Sequence, residues 1–243
     1  MITSKADIIA RLQKEILPLQ GFKPFKNGTV VDLGTGPIND ALPNGIFPLG
    51  AIHEFICTKE EDAAASTGFI AGVLASLMRE GGASVWISSC HKLFPPALTT
   101  FGIGPEKIIF IDLQKEKDIT WAIEEALQCV SLAAVVGEVQ DLSFTNSRRL
   151  QLAVEQSRLT GFIIRRKTRQ LNTTASVARW KINHLPGIVA DDLPGVGFPR
   201  WKVELLKIRN GKPGIWEMEW VNKRFGPVFK QTITEEEKQK KTG

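Results

Sequence analysis

The residues of this chain with the clearest chemical potential lie in one turn between an apolar strand and a helix. The turn spans residues 56–68 and its sequence is ICTKEEDAAASTG. Such a turn binds nucleotide phosphates when glycines let backbone N–H groups wrap them, a Lys reaches the outer phosphates and a Ser or Thr holds Mg²⁺. Here no glycine precedes Gly68, and Glu60, Glu61 and Asp62 occupy the turn. Each carboxylate repels a phosphate by about 1 kcal/mol or more, so the turn predicts a well-capped helix start instead.

The other reactive side chains are too scattered to predict a catalytic or metal site. Cysteines stand at positions 57, 90 and 129, and histidines stand at positions 53, 91 and 184. Their number and spacing match neither a disulfide framework nor a zinc site. We therefore expect the cysteines to be small reduced core residues.

The elements that position this turn alternate between strand and helix. A chain of 243 residues can bury one sizeable core. Apolar runs predict strands at 51–56, 83–87, 107–111, 132–136 and 161–164, and helices at 62–79, 94–101, 116–129 and 147–159. Cations at positions 148 and 149 are unfavourable in the first turn of the helix predicted at 147–159. Either a function requires them there or this helix begins earlier, at Ser143 or Thr145, and we favour the earlier start. This alternation predicts an α/β fold with a mostly parallel sheet and helices on both faces.

The last part of the chain follows another pattern. Residues 176–182, 200–208 and 214–221 are predicted strands without helices between them. Asn210-Gly211 lies between the last two strands and is a strong signal for a hairpin turn. The C-terminal strands of the sheet are therefore predicted to be antiparallel.

The two ends of the chain are predicted to lie outside the core. Residues 4–17 form an amphipathic pattern that predicts a helix, and residues 20–50, rich in Gly, Pro and Asn, predict a linker with one short strand near 29–33. We divide the chain into an N-terminal helix and linker (1–28), a core domain (29–225) and a flexible tail (226–243). No apolar run approaches the roughly twenty residues of a membrane span, and no leader pattern is present, so a cytoplasmic location is expected.

Several short sequence segments resemble segments of the RecA core and occur in the same order. Residues 41–56, ALPNGIFPLGAIHEFI, resemble the entry into RecA's Walker A loop. Residues 98–103, LTTFGI, resemble the segment that precedes a later strand of RecA. Residues 132–136 align with the Walker B strand of RecA. The resemblance implies a RecA-like P-loop-type core.

Three C-terminal segments resemble, more specifically, the ImuA family of RecA-related proteins. They are LPGVGFPRWKVELL at 193–206, RNGKPG at 209–214 and EMEW at 217–220. The family implies an accessory role in damage-induced, error-prone translesion DNA synthesis. Its implied partners are an ImuB-like polymerase-fold protein and a DnaE-type error-prone polymerase, with RecA itself and single-stranded DNA as further candidates. The alternative is a SulA-like inhibitor that binds the tubulin-like cell-division protein.

Three departures from RecA predict that this chain does not hydrolyse ATP and holds no cofactor. An ungapped placement puts Ala63 and Ala64 at the Walker A Lys-Thr positions, and a shifted one puts Ser66 and Thr67 there. The segment 88–91, SSCH, lacks the catalytic carboxylate. Gly137 takes the Walker B Asp position, and Glu138 is expected on the opposite face of its strand. A RecA-type ATPase with a relocated site is the least supported alternative.

The charge distribution predicts a basic surface on the C-terminal half. Residues 1–142 carry a net charge of −6 and residues 143–243 a net charge of +11, which gives the chain its +5. RecA contacts single-stranded DNA through two loops, and their counterparts here are 141–146 and 165–174. Cations in and near these segments could bind a DNA backbone, with Trp180 stacking on a base; alternatively they are solvated surface charges and Trp180 is core. The candidates are Arg148, Arg149, Arg165, Arg166, Lys167, Arg169, Arg179 and Lys181.

The N-terminal helix is the candidate docking element. RecA packs its own N-terminal element on a neighbouring subunit. By this resemblance Ile8, Ile9, Leu12 and Ile16 are candidates for binding a partner. The alternative is that they pack on their own domain.

Overall fold

The computed structural model of the chain describes residues 36–79, 81–89, 93–168, 171–187 and 197–228. Within these ranges nine strands form one sheet in the order β3-β2-β4-β5-β1-β6-β7-β8-β9. The strands are Ile52–Ile56 (β1), Ser84–Ser88 (β2), Ile108–Asp112 (β3), Ala134–Val139 (β4), Thr160–Arg165 (β5), Ala178–Leu185 (β6), Arg200–Ile208 (β7), Gly214–Val221 (β8) and Arg224–Pro227 (β9). The α-helices of the described ranges are Glu60–Leu77 (α1), Glu116–Leu127 (α2) and Phe144–Ser157 (α3).

Strand direction divides the sheet into two parts. Strands β1 to β6 pair in parallel, whereas β7 pairs antiparallel with β6, β8 with β7 and β9 with β8. The parallel part comes from alternating strands and helices, because a parallel pair needs a crossover connection. The antiparallel part follows the Asn210-Gly211 turn, where Asn210 has a φ of 59°. Both parts of the predicted sheet are confirmed.

The helices cover the two faces of the sheet unequally. Helix α1 packs on one face in a cluster that includes Phe55, Phe69 and Trp180. Helices α2 and α3 pack on the other face with Ile52, Val135 and Ile163. Helices therefore lie on both faces, as predicted, and α2 and α3 form one outer layer.

Helix α3 begins where its charges suggested. Ser143 is its N-cap, and its Oγ accepts a hydrogen bond from the Asn146 backbone N–H at 3.1 Å. The cations Arg148 and Arg149 therefore lie beyond the first turn, which removes the conflict with the helix dipole.

Other elements differ from the sequence predictions. Residues 95–101 form a 3₁₀ helix rather than an α-helix. The part of the predicted linker from residue 36 to residue 50 instead packs on the core, where Ile38, Leu42 and Phe47 are buried. Strand β9 was not predicted, and it passes the expected end of the core at residue 225.

The predicted ends of the chain stay predictions. The helix at 4–17, the strand near 29–33 and the tail after residue 228 lie outside the described residues. None of the helices in the described ranges has the length and apolar content needed to cross a membrane.

Candidate functional site

The predicted turn lies at the carboxyl ends of the parallel strands, where open α/β sheets usually bind ligands. Helix α1 begins at Glu60, directly after β1 and the short segment 57–59. Asp62 Oδ2 accepts hydrogen bonds from the Thr58 N–H (3.0 Å), the Thr58 Oγ1 (2.7 Å) and the Lys59 N–H (3.0 Å). Backbone N–H groups at this kind of place hold phosphate in nucleotide-binding proteins. Here a carboxylate of the chain itself occupies them.

The charge state of Asp62 fits this role. Burial acts to raise the pKa of its carboxyl group, but hydrogen bonds from Thr58, Lys59 and Asn183 outweigh burial, and the pKa falls below its ordinary value. The Asn183 Nδ2 donates to Asp62 Oδ1 at 2.9 Å. Asp62 is therefore a fixed anion at the first turn of α1.

Glu138 lies beside this turn, on the opposite face of β4 from Gly137, as expected. A Cβ on Gly137 would meet Ile123 of α2, whereas Glu138 lines a cleft with Glu60 and Ala64 of α1. The residue of β4 that faces the start of α1 is therefore Glu138 and not Gly137.

An arginine neutralises the carboxylates at this end of the sheet. Arg166, at the end of β5, donates from Nε to Glu138 and from Nη1 to Glu60 at 2.8 Å. The Trp86 Nε1 donates to the other Glu138 oxygen at 2.8 Å. Both oxygens of this buried carboxylate therefore accept hydrogen bonds from side chains of the protein itself.

Two clefts flank the first turns of α1. One of about 310 Å³ has mostly apolar walls, among them Leu98 and Phe101, with Glu138 and Arg166 at its edge. The other, of about 630 Å³, is lined by Lys59, Asp62, Lys181, His184 and Trp201, among others. The exposed side of α1 therefore lies between two shallow concave surfaces.

On the opposite face of the sheet a second charged group is fully buried. Glu54, in the middle of β1, accepts from Arg165 Nη1 (2.7 Å), Arg179 Nε (2.9 Å) and Thr174 Oγ1 (2.7 Å). Arg165 is 2 % exposed and also binds Asp141 Oδ1 through Nη2 at 2.8 Å. One carboxylate thus joins β1, β5, β6 and the segment that leads into β6.

Further hydrogen bonds tie down the two segments 141–146 and 165–174, which were predicted as counterparts of the DNA-binding loops of RecA. The Asn172 Nδ2 donates to the Leu142 carbonyl at 2.8 Å, and the Ala175 N–H donates to Ser147 Oγ at 3.0 Å. Lys207 Nζ donates to the Thr174 carbonyl at 3.1 Å. Burial lowers the pKa of Lys207, and the nearby Arg179 and Arg209 lower it further. The described parts of the two segments are therefore held together from inside the protein.

The eight candidate DNA-binding cations do not form one solvent-facing set. Arg165 and Arg179 point into the buried Glu54 group, and Arg166 is bound to Glu60 and Glu138. These three arginines form ion pairs within the protein, so the prediction that they lie on a DNA-binding surface is wrong. The side chains of Arg148, Arg149 and Lys167 are exposed. Arg149 pairs with Glu124, and Lys167 is 77 % exposed. Lys181 is half-buried, and Arg169 lies outside the described residues.

Other candidate residues have equally definite positions. Trp180 is fully buried and cannot stack on a nucleic-acid base. Cys57 is buried, and burial raises the pKa of its thiol to about 11, whereas Cys129 is exposed, so the prediction that it is a core residue is wrong. The candidate docking residues Ile8, Ile9, Leu12 and Ile16 lie outside the described residues.

Asp62 and Glu54 each accept several hydrogen bonds that hold neighbouring segments together, and the sequence did not predict this role for either residue. A signal for Glu54 existed, since a Glu inside the apolar strand IHEFI must find a partner when buried. The sequence did not show which cations it would meet, because Arg165 and Arg179 are 111 and 125 positions away.

The fold and the position of the site define a RecA-like protein. A solved structure with this architecture, the RadB recombinase, superposes with a TM-score of 0.56 at 13 % identity over 82 % of this chain and 100 % of that one. Protein ImuA from two strains of Caulobacter vibrioides, NA1000 / CB15N and ATCC 19089 / CB 15, is 33 % identical over 210 residues, 82 % of this chain and 86 % of the relative. The chain belongs to the ImuA family. No model of a known protein family matches it.

Proposed function

We propose that this protein is a non-hydrolysing RecA-like adaptor in damage-induced, error-prone translesion DNA synthesis. Membership of the ImuA family supports the process. The adaptor binds an ImuB-like polymerase-fold protein and through it serves a DnaE-type error-prone polymerase, and RecA is a further candidate partner. The chain contributes binding surfaces, and no bond is made or broken by its side chains.

The observation that carries the non-hydrolysing part is the position of the Asp62 carboxylate. It accepts the Thr58 and Lys59 N–H groups, which at this place in a P-loop protein would face a phosphate. A bound phosphate would have to displace this anion and then lie beside Glu60 and Glu61. Because no Lys takes the Walker A position, Lys59 is the one cation of the turn, and it stands against three carboxylates.

The Glu138 and Arg166 pair supports the same conclusion. Phosphoryl transfer needs a metal ion and cations that neutralise developing negative charge. Glu138 has the position of a metal-binding carboxylate, but its oxygens accept from Trp86 and Arg166. Arg166, the cation that could contact a phosphate, is therefore paired with Glu138, the carboxylate that could hold the metal.

An affinity pull-down from DNA-damaged cells of the source organism tests the adaptor role. The tagged full-length chain is expected to recover an ImuB-like protein, a DnaE-type polymerase or RecA, identified by mass spectrometry. If the N-terminal helix is the docking element, Ile8→Asp with Leu12→Asp removes the partner, and Lys14→Asp, on the polar face of the predicted helix, keeps it.

The same experiment distinguishes the alternative. Recovery of the tubulin-like division protein without any polymerase would reject the translesion role and favour a SulA-like inhibitor. Undamaged cells serve as the control, because the proposed partners are damage-induced.

We also propose weak, sequence-independent binding of single-stranded DNA through Lys167 and Lys181. Since Arg149, Arg165, Arg166 and Arg179 are bound in ion pairs within the chain, we expect a shallow salt dependence, with a slope of about −1.4 against log salt for two contacts. An electrophoretic shift at low salt should be lost in Lys167→Glu and kept in Lys212→Glu, a surface reversal on the β7–β8 turn. Absence of any salt-sensitive shift for the wild type would contradict this proposal.

A further inference from the structure

Two exposed stripes on the outer helical layer carry complementary side chains. On α2, Trp121 is 61 % exposed, although a Trp of a monomeric protein is normally covered. Glu125 follows it one turn later and is also exposed. On α3, Phe144 is 56 % exposed, and the exposed Arg148 follows it one turn later. Residues four apart lie on the same side of a helix, so each stripe pairs one aromatic ring with one charge, and the charges have opposite signs.

An ion pair fixes how far along the layer the two stripes lie. Both helices run opposite to the parallel strands that follow them, so they run parallel to each other. Arg149 Nη2 lies 2.6 Å from Glu124 Oε2. This pair places residue 149 of α3 near the level of residue 124 of α2, within the reach of the two side chains. On this scale Arg148 lies between the levels of Trp121 and Glu125, and Phe144 lies just before the level of Trp121.

We propose that this layer is a symmetric dimer interface and that its occupant is a second copy of this chain. A two-fold axis parallel to the helices places α2 of one protomer on α3 of the other at the same level. Arg148 of each protomer then meets Glu125 of the other, and its guanidinium lies against the ring of Trp121. The contact occurs twice, as an isologous interface requires. Cation–π contact and aromatic packing are the forces that such residues provide.

Charge complementarity distinguishes a second copy from other occupants. Nucleic acid is disfavoured, because the α2 stripe carries Glu125 and is flanked by Asp118 and Glu124. A surface of one sign would suit a partner of the opposite sign, whereas this layer carries both signs at matching levels and so is complementary to itself. The proposal goes beyond the adaptor role and does not depend on it.

Sedimentation velocity of the full chain tests the proposal by charge reversal. The wild type is expected to sediment as a dimer of the 26.9 kDa chain at tens of micromolar. Arg148→Glu and, separately, Glu125→Arg should each weaken the dimer by at least tenfold. An equimolar mixture of the two variants should restore it, because each contact then joins opposite charges again. Lys212→Glu is the matched control and should remain dimeric.

Three outcomes would overturn the proposal. A monomeric wild type at 100 μM would mean that the layer is covered within one chain or is simply solvated. A dimer that survives both reversals would lie on another surface. Two monomeric variants that fail to associate when mixed would show that Arg148 and Glu125 do not meet. Circular dichroism on both variants confirms that they are folded.

Discussion

Replacing Glu54 with Gln is expected to lower the free energy of unfolding by about 3–5 kcal/mol, the cost of breaking a buried ion pair from one side. Gln keeps the shape but not the charge, so Arg165 and Arg179 retain buried positive charges without their anion. Arg165 is hardest to relieve, because it is 2 % exposed and its other carboxylate partner is the exposed Asp141. Urea denaturation measures the loss.

A matched substitution and a double variant separate charge pairing from side-chain loss. Glu217→Gln changes an exposed Glu on β8 in the same way and should alter stability by no more than about 0.5 kcal/mol. Glu54→Gln combined with Arg165→Gln should cost less than the sum of the single variants, because the two residues are coupled. A loss below about 1 kcal/mol for Glu54→Gln would show that the buried group does not hold β1, β5 and β6 together.

Acid is expected to destabilise the protein through His53, the second large effect. The ring is fully buried: its Nε2–H donates to the Pro48 carbonyl at 2.6 Å, and its Nδ1 accepts from Trp180 Nε1 at 3.2 Å. Burial lowers the pKa of His53 from 6.5 to about 4, against a smaller opposing effect of the Pro48 carbonyl. A second ring proton would meet the Trp180 N–H, so the folded state holds the neutral ring.

The pH range of this effect follows from the two pKa values. As the pH falls, His53 gains its proton first in the unfolded state. The contribution of the neutral His53 ring to the free energy of unfolding is therefore complete above about pH 6.5 and is lost as the pH falls toward 4. The whole loss is about 3 kcal/mol. Urea midpoints between pH 7.5 and pH 4 measure it. His53→Phe should flatten this dependence while lowering stability at neutral pH, and the exposed His184→Gln should leave the dependence unchanged. An unchanged slope in His53→Phe would contradict the assignment.

Local pattern was enough to predict most of the sheet. Buried apolar runs separated by helices specify a parallel arrangement almost regardless of detail, and Asn210-Gly211 specified the β7–β8 hairpin. The strand β9 was missed because four residues carry too little periodicity. The packed segment 36–50 was missed because Gly and Pro hide the apolar contacts of Ile38 and Phe47.

The site was less predictable, because its contacts are long-range. The turn at 56–62 was correctly predicted to begin a helix with acidic residues, but the bonds from Asp62 to Thr58 and Lys59 depend on the exact path of the backbone. Glu138 and Gly137 do lie on opposite faces of β4, but the sequence did not show which of them faces α1, because a shift of one residue reverses the face of a strand. The arginines at 165, 166 and 179 resemble a basic patch in sequence, and only the fold shows the carboxylates that pair with them.

Equilibrium binding of Mg²⁺-ATP to the full chain tests the central claim most directly, namely that internal ion pairs have replaced the nucleotide machinery of a RecA-like core. Titration calorimetry is expected to show no saturable binding up to millimolar nucleotide, and a phosphate-release assay no turnover above buffer. Saturable micromolar binding would contradict the claim, as would phosphate release that is present in the wild type and abolished by Glu138→Gln. The Glu217→Gln variant identifies a contaminant, because turnover that varies equally in both variants does not come from this site.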